Sequence, residues 1–424
     1  MRIFAIFSLV FVLNQLVLAQ DTLKVMQYNL LNYNNYTYYC TASNNNVTNK
    51  DGYLQTIIDY TLPDIFCVNE IEESTATLDH LLNTVMNSNG RTYYARANRT
   101  NYGSSDIINA MYYDTRKLAL HSQDVVVTSL RDINIYNLYY KSTDLASGGD
   151  TVWVTCIVMH LKAGSYQSDE DDRAAEVSTL MNYLNALNQP GNYLAMGDFN
   201  VYSDDEECFQ NLTNHPNANI RFYDPINKLG SWNNNSYYAD YHTQSTHSTS
   251  NDCAASGGMD DRFDWILASM DIITGGELVQ YVSGSYHALA QDGNHFNSSI
   301  NSSPTNTSVP SNVLTALYNN SDHLPVIMEL AVAKPVGIAE VEASFDFFVF
   351  SDENHNLSTK ITTVNAGTYF LRVYAADGRM ISQQEIQCQR GFNTVGIDVV
   401  AENQLLLIQL QSEDGAVIST KTIY

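Results

Sequence analysis

The sequence predicts an α/β body of the α+β kind with a smaller β domain after it, and three observations carry that reading. From Thr22 to about Val332, short β-rich runs alternate with amphipathic stretches of helical spacing, as in an α/β body. After "AVAKPVGIAE" the pattern changes to short strands and turns such as "YAADGRM" and "QSEDGAV", each with Asp-Gly between β-rich arms. The 424 residues exceed one ordinary domain of roughly 100 to 200 residues and leave room for a sizeable core.

Each element has its own signal. "LKVMQY" is strand-like, "DGYLQTIIDYTL" is helix-like and stops at Pro63, and "DIFCVNE" reads as a buried strand. "STATLDHLLNTVMN" again has helical spacing, with Leu78, Leu81, Leu82 and Val85 on one face. "TVWVTCIVMHL" is a continuous apolar strand. In the helix after it, Ser168 and Asp171 suit a capping box, and Val177, Leu180, Met181, Leu184 and Leu187 form a buried stripe. "GNYLAMGDFN" and "RFDWILAS" are strands ending in polar residues. Two stretches, roughly 202 to 260 and 283 to 320, are rich in Asn, Ser, Tyr and His without periodicity and read as long surface loops.

The first residues, "MRIFAIFSLVFVLNQLVLAQ", combine Arg2, an apolar run and a small residue at Ala19, which reads as a secretory signal over 1–19. The run is short and broken by Asn14 and Gln15, and no later stretch is apolar enough to span a bilayer, so no stable membrane insertion is expected. Six cysteines are scattered without the close pairs of a zinc site. Cys67 and Cys156 sit in apolar runs as small buried residues, while Cys208 and Cys253 flank a polar insertion and suit a disulfide in an oxidising compartment. Forty-six acidic against 21 basic residues give a formal charge of −25, which disfavours tight duplex binding through released counterions.

Polar residues cluster just past strand ends, where open α/β sheets keep their sites. They are Asn29 in "MQYNLLNY", Glu70 in "IFCVNEIEE", His160 in "IVMHLKAG", Asp198 and Asn200 in "MGDFN", Asp264 in "DRFDWIL", and Asp322 and His323 in "NNSDHLPVI". Singly, each has a structural explanation: a turn residue, a solvated strand end, or for Asp264 a salt bridge to Arg262. Together they meet the needs of phosphodiester hydrolysis, which are a divalent cation on phosphate oxygens, an in-line water and donors for developing charge. Mg²⁺ favours hard oxygen ligands and is the expected cofactor, with Mn²⁺ or Ca²⁺ as alternatives. Glu70 is the principal metal ligand in this reading, helped by Asn29 and Asp322. Asp198 orients or deprotonates the water, and Asn200 holds it with a phosphate oxygen. His323, aligned by Asp264, serves as general base or cationic stabiliser. His160 donates to a phosphate oxygen or the leaving group, and Arg96, Arg99, Lys162 and Arg173 supply a basic handful near the mouth, with Lys162 and Arg173 as candidate substrate contacts.

The set resembles the endonuclease/exonuclease/phosphatase (DNase I-like) family over roughly residues 22 to 332. Its short motifs fall in the family's order: Asn in the first strand, Glu after the second, "HL", "GDFN", R-x-D-x-I and "SDHLPV". The resemblance implies a four-layer α/β sandwich, two mixed sheets packed face to face with helices outside. It also implies Glu70 as metal ligand, Asp198 and Asn200 around the nucleophilic water, and Asp264 paired with His323. The expected function is a secreted, metal-dependent phosphodiester hydrolase, most simply a nuclease holding nucleic acid weakly. A sphingomyelinase-like phospholipase is the competing enzyme, and a degenerate surface-binding scaffold the non-enzymatic one. The polar insertions lack the apolar wedge the lipid enzyme needs, while Tyr237, Tyr238 and Tyr241 in them suit stacking on bases.

The tail carries a second resemblance. "VGIAE", "YFLRVYAADGRMIS" and "LLIQLQSEDGAVISTKTIY" are similar to the C-terminal sorting domain of the Bacteroidetes type IX (Por) secretion system, a small β-sandwich. "VFSDENHN" replaces the usual Tyr-Pro-Asn-Pro segment, and the customary Gly-x-Tyr is missing from the last strand. The expected organisation is a signal at 1–19, a catalytic domain at 20–332, a linker at 333–340 and a sorting domain at 341–424. It implies the type IX machinery as a partner and a secreted or cell-surface location.

Overall fold

The computed structural model describes residues 21–333, 345–351, 356–376, 378–399, 405–413 and 417–423. The chain falls into two compact units, residues 1–336 and 337–424. The proposed signal, most of the linker and "VGIAE" lie outside the described residues.

The first unit is built from β1 (Asp21–Tyr33), α1 (Val47–Thr61), β2 (Ile65–Glu72), α2 (Thr75–His80), β3 (Tyr94–Arg96), β4 (Ile107–Asp114), β5 (Leu118–Val126), β6 (Ile133–Tyr140), β7 (Trp153–His160), α3 (Gln167–Leu187), β8 (Tyr193–Asp198), α4 (Glu207–Thr213), β9 (Phe222–Tyr223), β10 (Asp264–Ser269), α5 (Met270–Thr274), β11 (Val279–Tyr281), β12 (His287–Ala288), α6 (Ser311–Asn320) and β13 (Val326–Val332). One sheet has the order β11-β13-β1-β2-β4-β3 with β12 also on β13, and the other β5-β6-β7-β8-β10-β9. Both are mixed. β1 runs parallel to β2 and antiparallel to β13, and β7 runs parallel to β8, which pairs antiparallel with β10.

The sheets pack face to face over a core that includes Val25, Cys67, Met111, Cys156, Met196, Ile266 and Met328. α1, α2 and α6 cover the outer face of the first sheet with Leu54, Ile57, Leu78 and Leu317, and α3 and α4 cover the second with Val177, Leu180, Leu184 and Phe209. Strands buried on both faces are apolar without alternation, which is why β7 reads as one continuous run. The result is the four-layer sandwich expected.

Some local expectations need correcting. α1 begins earlier, at Val47, where Asn46 caps it by accepting from the Asn49 amide, and it ends with Leu62 in the left-handed region ahead of Pro63. α3 starts at Gln167, and Asp169 rather than Asp171 makes the return bond, accepting from the Tyr166 amide. After His80 the α2 chain widens into a π-helical stretch, Leu81–Met86. The stretch from 202 to 260 is more than surface loop: it holds α4 and buries Trp232, His242 and Thr246 completely. α6 lies inside the segment read as the second loop, where its apolar face packs on α1. The disulfide joins Cys40 to Cys253, whereas Cys208 is a free thiol buried on α4. Aperiodic stretches reach their structure through distant partners, so periodicity could not show it.

In the second unit, β14 (Phe345–Ser351), β15 (Leu357–Thr363) and β18 (Gly391–Gly396) form one sheet, and β16 (Gly367–Ala375), β17 (Met380–Cys388), β19 (Leu405–Ser412) and β20 (Val417–Ile423) the other. The arms flanking both Asp-Gly sites pair antiparallel, Tyr374 with Met380 and Gln411 with Val417. Phe347, Ile361, Leu371, Ile386 and Leu406 share one core across the two sheets.

The Cys40–Cys253 bond closes a loop with a sequence separation of 213. Removing both thiols as the Cys40→Ala, Cys253→Ala double variant should lower stability by about 2–5 kcal/mol, read as a fall in Tm against the parent under non-reducing conditions. An unchanged Tm would refute a stabilising role.

Candidate active site

Four strand ends meet in one polar hollow between the sheets. Asn29, fully buried near the end of β1, donates through Nδ2 to Glu70 Oε1 at 3.1 Å and to Asp198 Oδ2 at 3.0 Å. Its oxygen accepts the Leu31 amide at 2.9 Å. Glu70 lies where the β1–β2 and β2–β4 registers slip, and the Asn32 amide donates to its Oε2 at 3.0 Å. The backbone here is strained: Glu70 has φ 58° and Leu31 and Asn32 have φ 47° and 49°. Such conformations cost non-glycine residues energy and concentrate at functional sites. The slip turns the carboxylate towards the second sheet, away from the face an unbroken strand would give it.

Asp198 closes β8. Its backbone N–H donates to Asn69 Oδ1, and Oδ1 accepts from the Asn200 amide at 3.0 Å. The glycine of "GDFN" is required by close approach. Gly197 has φ 142°, and a Cβ there would stand 1.7 Å from the Met159 carbonyl oxygen on β7. Asn200, also at positive φ, donates through Nδ2 to the Leu161 carbonyl at 3.2 Å. His160, at the end of β7, sets Nε2 3.7 Å from Glu70 Oε1 and 3.6 Å from Asp198 Oδ2. His323 comes from the turn between α6 and β13. Its Nδ1 lies 2.7 Å from Asp264 Oδ2, and its Nε2 lies 3.8 Å from Asp198 Oδ2. The structure therefore brings Asn29, Glu70, His160, Asp198, Asn200, Asp264 and His323 together.

Burial decides the charges. Burial itself pushes the Asp198 carboxyl up to about 7, with Asp264 and Glu70 adding to it and His323 and Asn29 working against them. For His323, burial opposes the proton, but Asp264, Asp198 and Asp322 outweigh it and hold the imidazole well above its ordinary value. His160 goes the other way: burial first, then Arg131 and His323, press it well below, so its ring is neutral. The two histidines divide the roles of cation and neutral imidazole. Nε2 of His323 also lies 2.7 Å from Gln244 Nε2, so an imidazolium there needs the amide turned over to present its oxygen.

The donor set fits a divalent cation. Among the described residues, the one group of three acidic, histidine or cysteine side chains with ligand atoms all within 4.8 Å of one another is Glu70, His160 and Asp198. Two of these are carboxylates of different sheets facing each other with an amide between them, hard oxygen donors of the kind a divalent cation takes. Two expected ligands are placed differently. Asn29 points its NH₂ group at the carboxylates, so acting as an oxygen ligand needs the amide turned over. Asp322 stands on the His323 side of the hollow, accepting the Ala255 amide through Oδ2 at 2.7 Å with Oδ1 3.9 Å from His323 Nε2, and is not grouped with Glu70.

The basic handful is engaged elsewhere. Arg173 is fully buried, paired with Glu206 at 2.7 Å and donating to the Lys162 and Gly164 carbonyls, so it props the loop after His160 and is no substrate contact. Lys162 pairs with Asp169 at 2.6 Å, Arg96 with Asp79 at 2.7 Å, and Arg99 with Glu73. Arg262 pairs with Asp224, leaving Asp264 to His323. Of the tyrosines expected to stack, Tyr238 is buried and Tyr241 lies under Lys228 and Arg262; Tyr237 alone is exposed.

Several working residues escaped sequence reasoning. A buried amide ladder runs from Gln27 to Asn69 at 2.5 Å, Asn69 to Asn109 at 2.7 Å and Asn109 to Asn134 at 3.1 Å, and Asn69 also holds the Asp198 amide. The available signal was a polar residue inside an apolar strand, as in "FCVNE". Lys50, buried in α1, donates to the Leu31 and Asn320 carbonyls and to Asn45 Oδ1, tying the β1 end to the turn before Asp322 and His323. Burial lowers it to about 7 against the pull of Asp322 and Glu70. Arg131 holds the His160 and Leu161 carbonyls at 2.9 and 2.8 Å.

The sequence model of the Endonuclease/Exonuclease/phosphatase family matches residues 26–287. The chain belongs to this family. Its members are divalent-metal-dependent phosphoesterases, which fixes the reaction class of the constellation. Solved structures are similar at low identity. A functionally unknown conserved protein from Enterococcus faecalis V583 is 16% identical with a TM-score of 0.42, covering 73% of this chain and 100% of that one. The human Nocturnin catalytic domain with bound sulfate anion is 14% identical with a TM-score of 0.44, covering 74% and 97%. D. rerio TDP2 complexed with single strand DNA product is 10% identical with a TM-score of 0.44, covering 73% and 98%. No curated protein matches the chain.

The Asp264–His323 contact has a direct test. His323 is raised in the folded protein, so its stabilising share is complete below its unfolded value and is lost as pH rises through the folded one. Asp264→Asn should move the alkaline limb of the pH–rate profile to lower pH and reduce kcat by about 100-fold or more. An unmoved limb in a folded variant would show that Asp264 does not set the charge of His323.

Proposed function

We propose that this protein is a divalent-metal-dependent phosphodiester hydrolase acting on nucleic acid by in-line attack of water. The observation that carries the reading is the convergence of Glu70, Asp198 and His160 within 4.8 Å, with His323, held by Asp264 through its other ring nitrogen, facing the same Asp198 oxygen as His160. A bound divalent cation would be held by Glu70 and Asp198, and would supply charge neutralisation on the phosphate oxygens. The residues do the rest. Asp198, with Asn200 beside it, orients the water and takes its proton as the oxygen–phosphorus bond forms and the ester bond breaks. The His323 cation faces the charge that builds on phosphorus-bound oxygen, and neutral His160 donates to a second oxygen or to the leaving group. Burial keeps these groups out of bulk water, where their interactions would be screened.

The phospholipase reading has less behind it. In the insertions Trp232 and His242 are buried, and Tyr237, whose ring carries a polar hydroxyl, is the strongly exposed aromatic among the described residues there. The decisive experiment presents the full chain with plasmid DNA, RNA, sphingomyelin vesicles and a chromogenic phosphodiester, each with Mg²⁺ and with a chelator. Nucleic acid should be cleaved only with the ion, and both Glu70→Ala and His323→Ala should reduce the rate at least about 100-fold. Cleavage that persists in both variants would remove the assignment.

We further propose export, with the second unit as the type IX sorting domain. The disulfide supports an oxidising location, and the paired hairpins of the second unit support a β-sandwich of the expected kind. A chain ending at Val336 should accumulate inside a host that carries this secretion system, while the full chain reaches the medium or cell surface. Equal export of both would overturn the sorting role.

A further inference from the structure

The first unit displays its aromatics unevenly. Tyr38 is 90% exposed, Tyr39 65%, Tyr102 70%, Tyr166 79% and Tyr237 76%, while no other large hydrophobic side chain described in that unit exceeds 51%. A scattered exposed apolar residue needs no explanation. Here every one of the most exposed is a tyrosine, and each lies on a segment anchored to the catalytic hollow.

The anchors can be followed bond by bond. Tyr39 precedes Cys40, whose sulfur lies 3.6 Å from Asn32 Nδ2, and the Asn32 amide holds Glu70. The Tyr102 amide donates to Asp132 at 2.6 Å, next to the Arg131 that grips the His160 carbonyl. Tyr166 closes the short loop that leaves β7 after His160, its amide fixed by Asp169 at 3.1 Å. Tyr237 follows Asn234, whose amide donates to the Asp260 carbonyl, and the Asp260 amide donates to the carbonyl of Gln244, the residue at His323. The phenol rings thus stand on four different loops, each tied through such bonds to residues of the hollow, with their faces in water.

Charge says what they would hold. Arg96, Arg99, Lys162 and Arg173 are each matched by a carboxylate, and Arg131 is bound to two carbonyls. None of these five is free to follow a phosphate backbone, and the chain as a whole is at −25. Affinity for a polyanion must then come from a term that does not depend on counterion release, and base–aromatic stacking is such a term. Bases inside a duplex have no free face for a ring. We propose, on the basis of the nuclease reading above, that these tyrosines are stacking subsites and that the substrate is unpaired nucleic acid.

The test compares kcat/KM of the full chain on a labelled single-stranded oligonucleotide, on its blunt duplex and on a chromogenic phosphodiester. The single strand should be preferred over the duplex by at least tenfold, with a shallow dependence on salt. Tyr102→Ala and Tyr166→Ala should each lower the ratio of oligonucleotide to chromogenic turnover by about 5- to 150-fold, and Tyr→Phe or Tyr→Trp at the same positions should restore it. Equal turnover of both strand forms, or alanine variants within twofold of the parent, would overturn the proposal. So would loss of binding to phosphatidylcholine vesicles in the same variants with no change on the oligonucleotide, which would make the rim a lipid contact. Hydrolysis of the chromogenic diester with no nucleic acid cleaved would refute the nuclease reading and leave the hydrolytic centre intact.

Discussion

A single buried amide, Asn29 Nδ2, lies between two carboxylates that come from different sheets. Glu70 and Asp198 are acids that water would keep apart, and the packing of β1 and β2 on β7 and β8 holds them together in a place where their charge is poorly screened. Burial first, then Asp264 and Glu70, push the Asp198 carboxyl up. Folded and unfolded states also differ in proton uptake at this group. Its folded value is above the ordinary 3.8, so it costs stability increasingly as pH rises from there towards 7. A hollow of this kind has a use only if a cation or a charged donor completes it.

The supporting structure is correspondingly overdetermined. The ladder Gln27–Asn69–Asn109–Asn134 crosses the seam between the sheets and links four buried amides, with Gln27 Oε1 at its end left without a partner among the described residues. Lys50 ties the end of β1 to the turn that carries Asp322 and His323, and Arg131 fixes the carbonyls at the end of β7. The left-handed residues at Leu31, Asn32, Glu70 and Asn200 are paid for by this surrounding order. Where Asp198 must lie against its neighbour strand, glycine at 197 removes the side chain that would collide with Met159.

The same economy of charge shapes the approach to the site. Basic side chains that a sequence reading places at the mouth instead hold loops in position through carboxylates such as Glu206 and Asp169. In the proposal above, the exposed tyrosines take the place of those cations. An acidic protein can act on an acidic polymer in this way, with a local cation for chemistry and uncharged faces for contact.

The sequence by itself determined the layers of the fold and most of the residues that converge in the hollow. Continuous apolar runs such as β7 and the helical spacing of α3 are local consequences of burial. Asn29, Glu70, His160, Asp198, Asn200, Asp264 and His323 were legible because each is a polar residue within or beside an apolar strand run, in a short motif of its own. Tertiary structure alone decided the rest. Arg173 and Arg262 chose Glu206 and Asp224 across 33 and 38 residues, Cys40 chose Cys253 across 213, and Asp322 took the Ala255 amide across 67. Those choices depend on which chain segments the two sheets bring into contact. A charge or a thiol carries no periodicity that points to its partner, so the pairing exists only once the layers have packed.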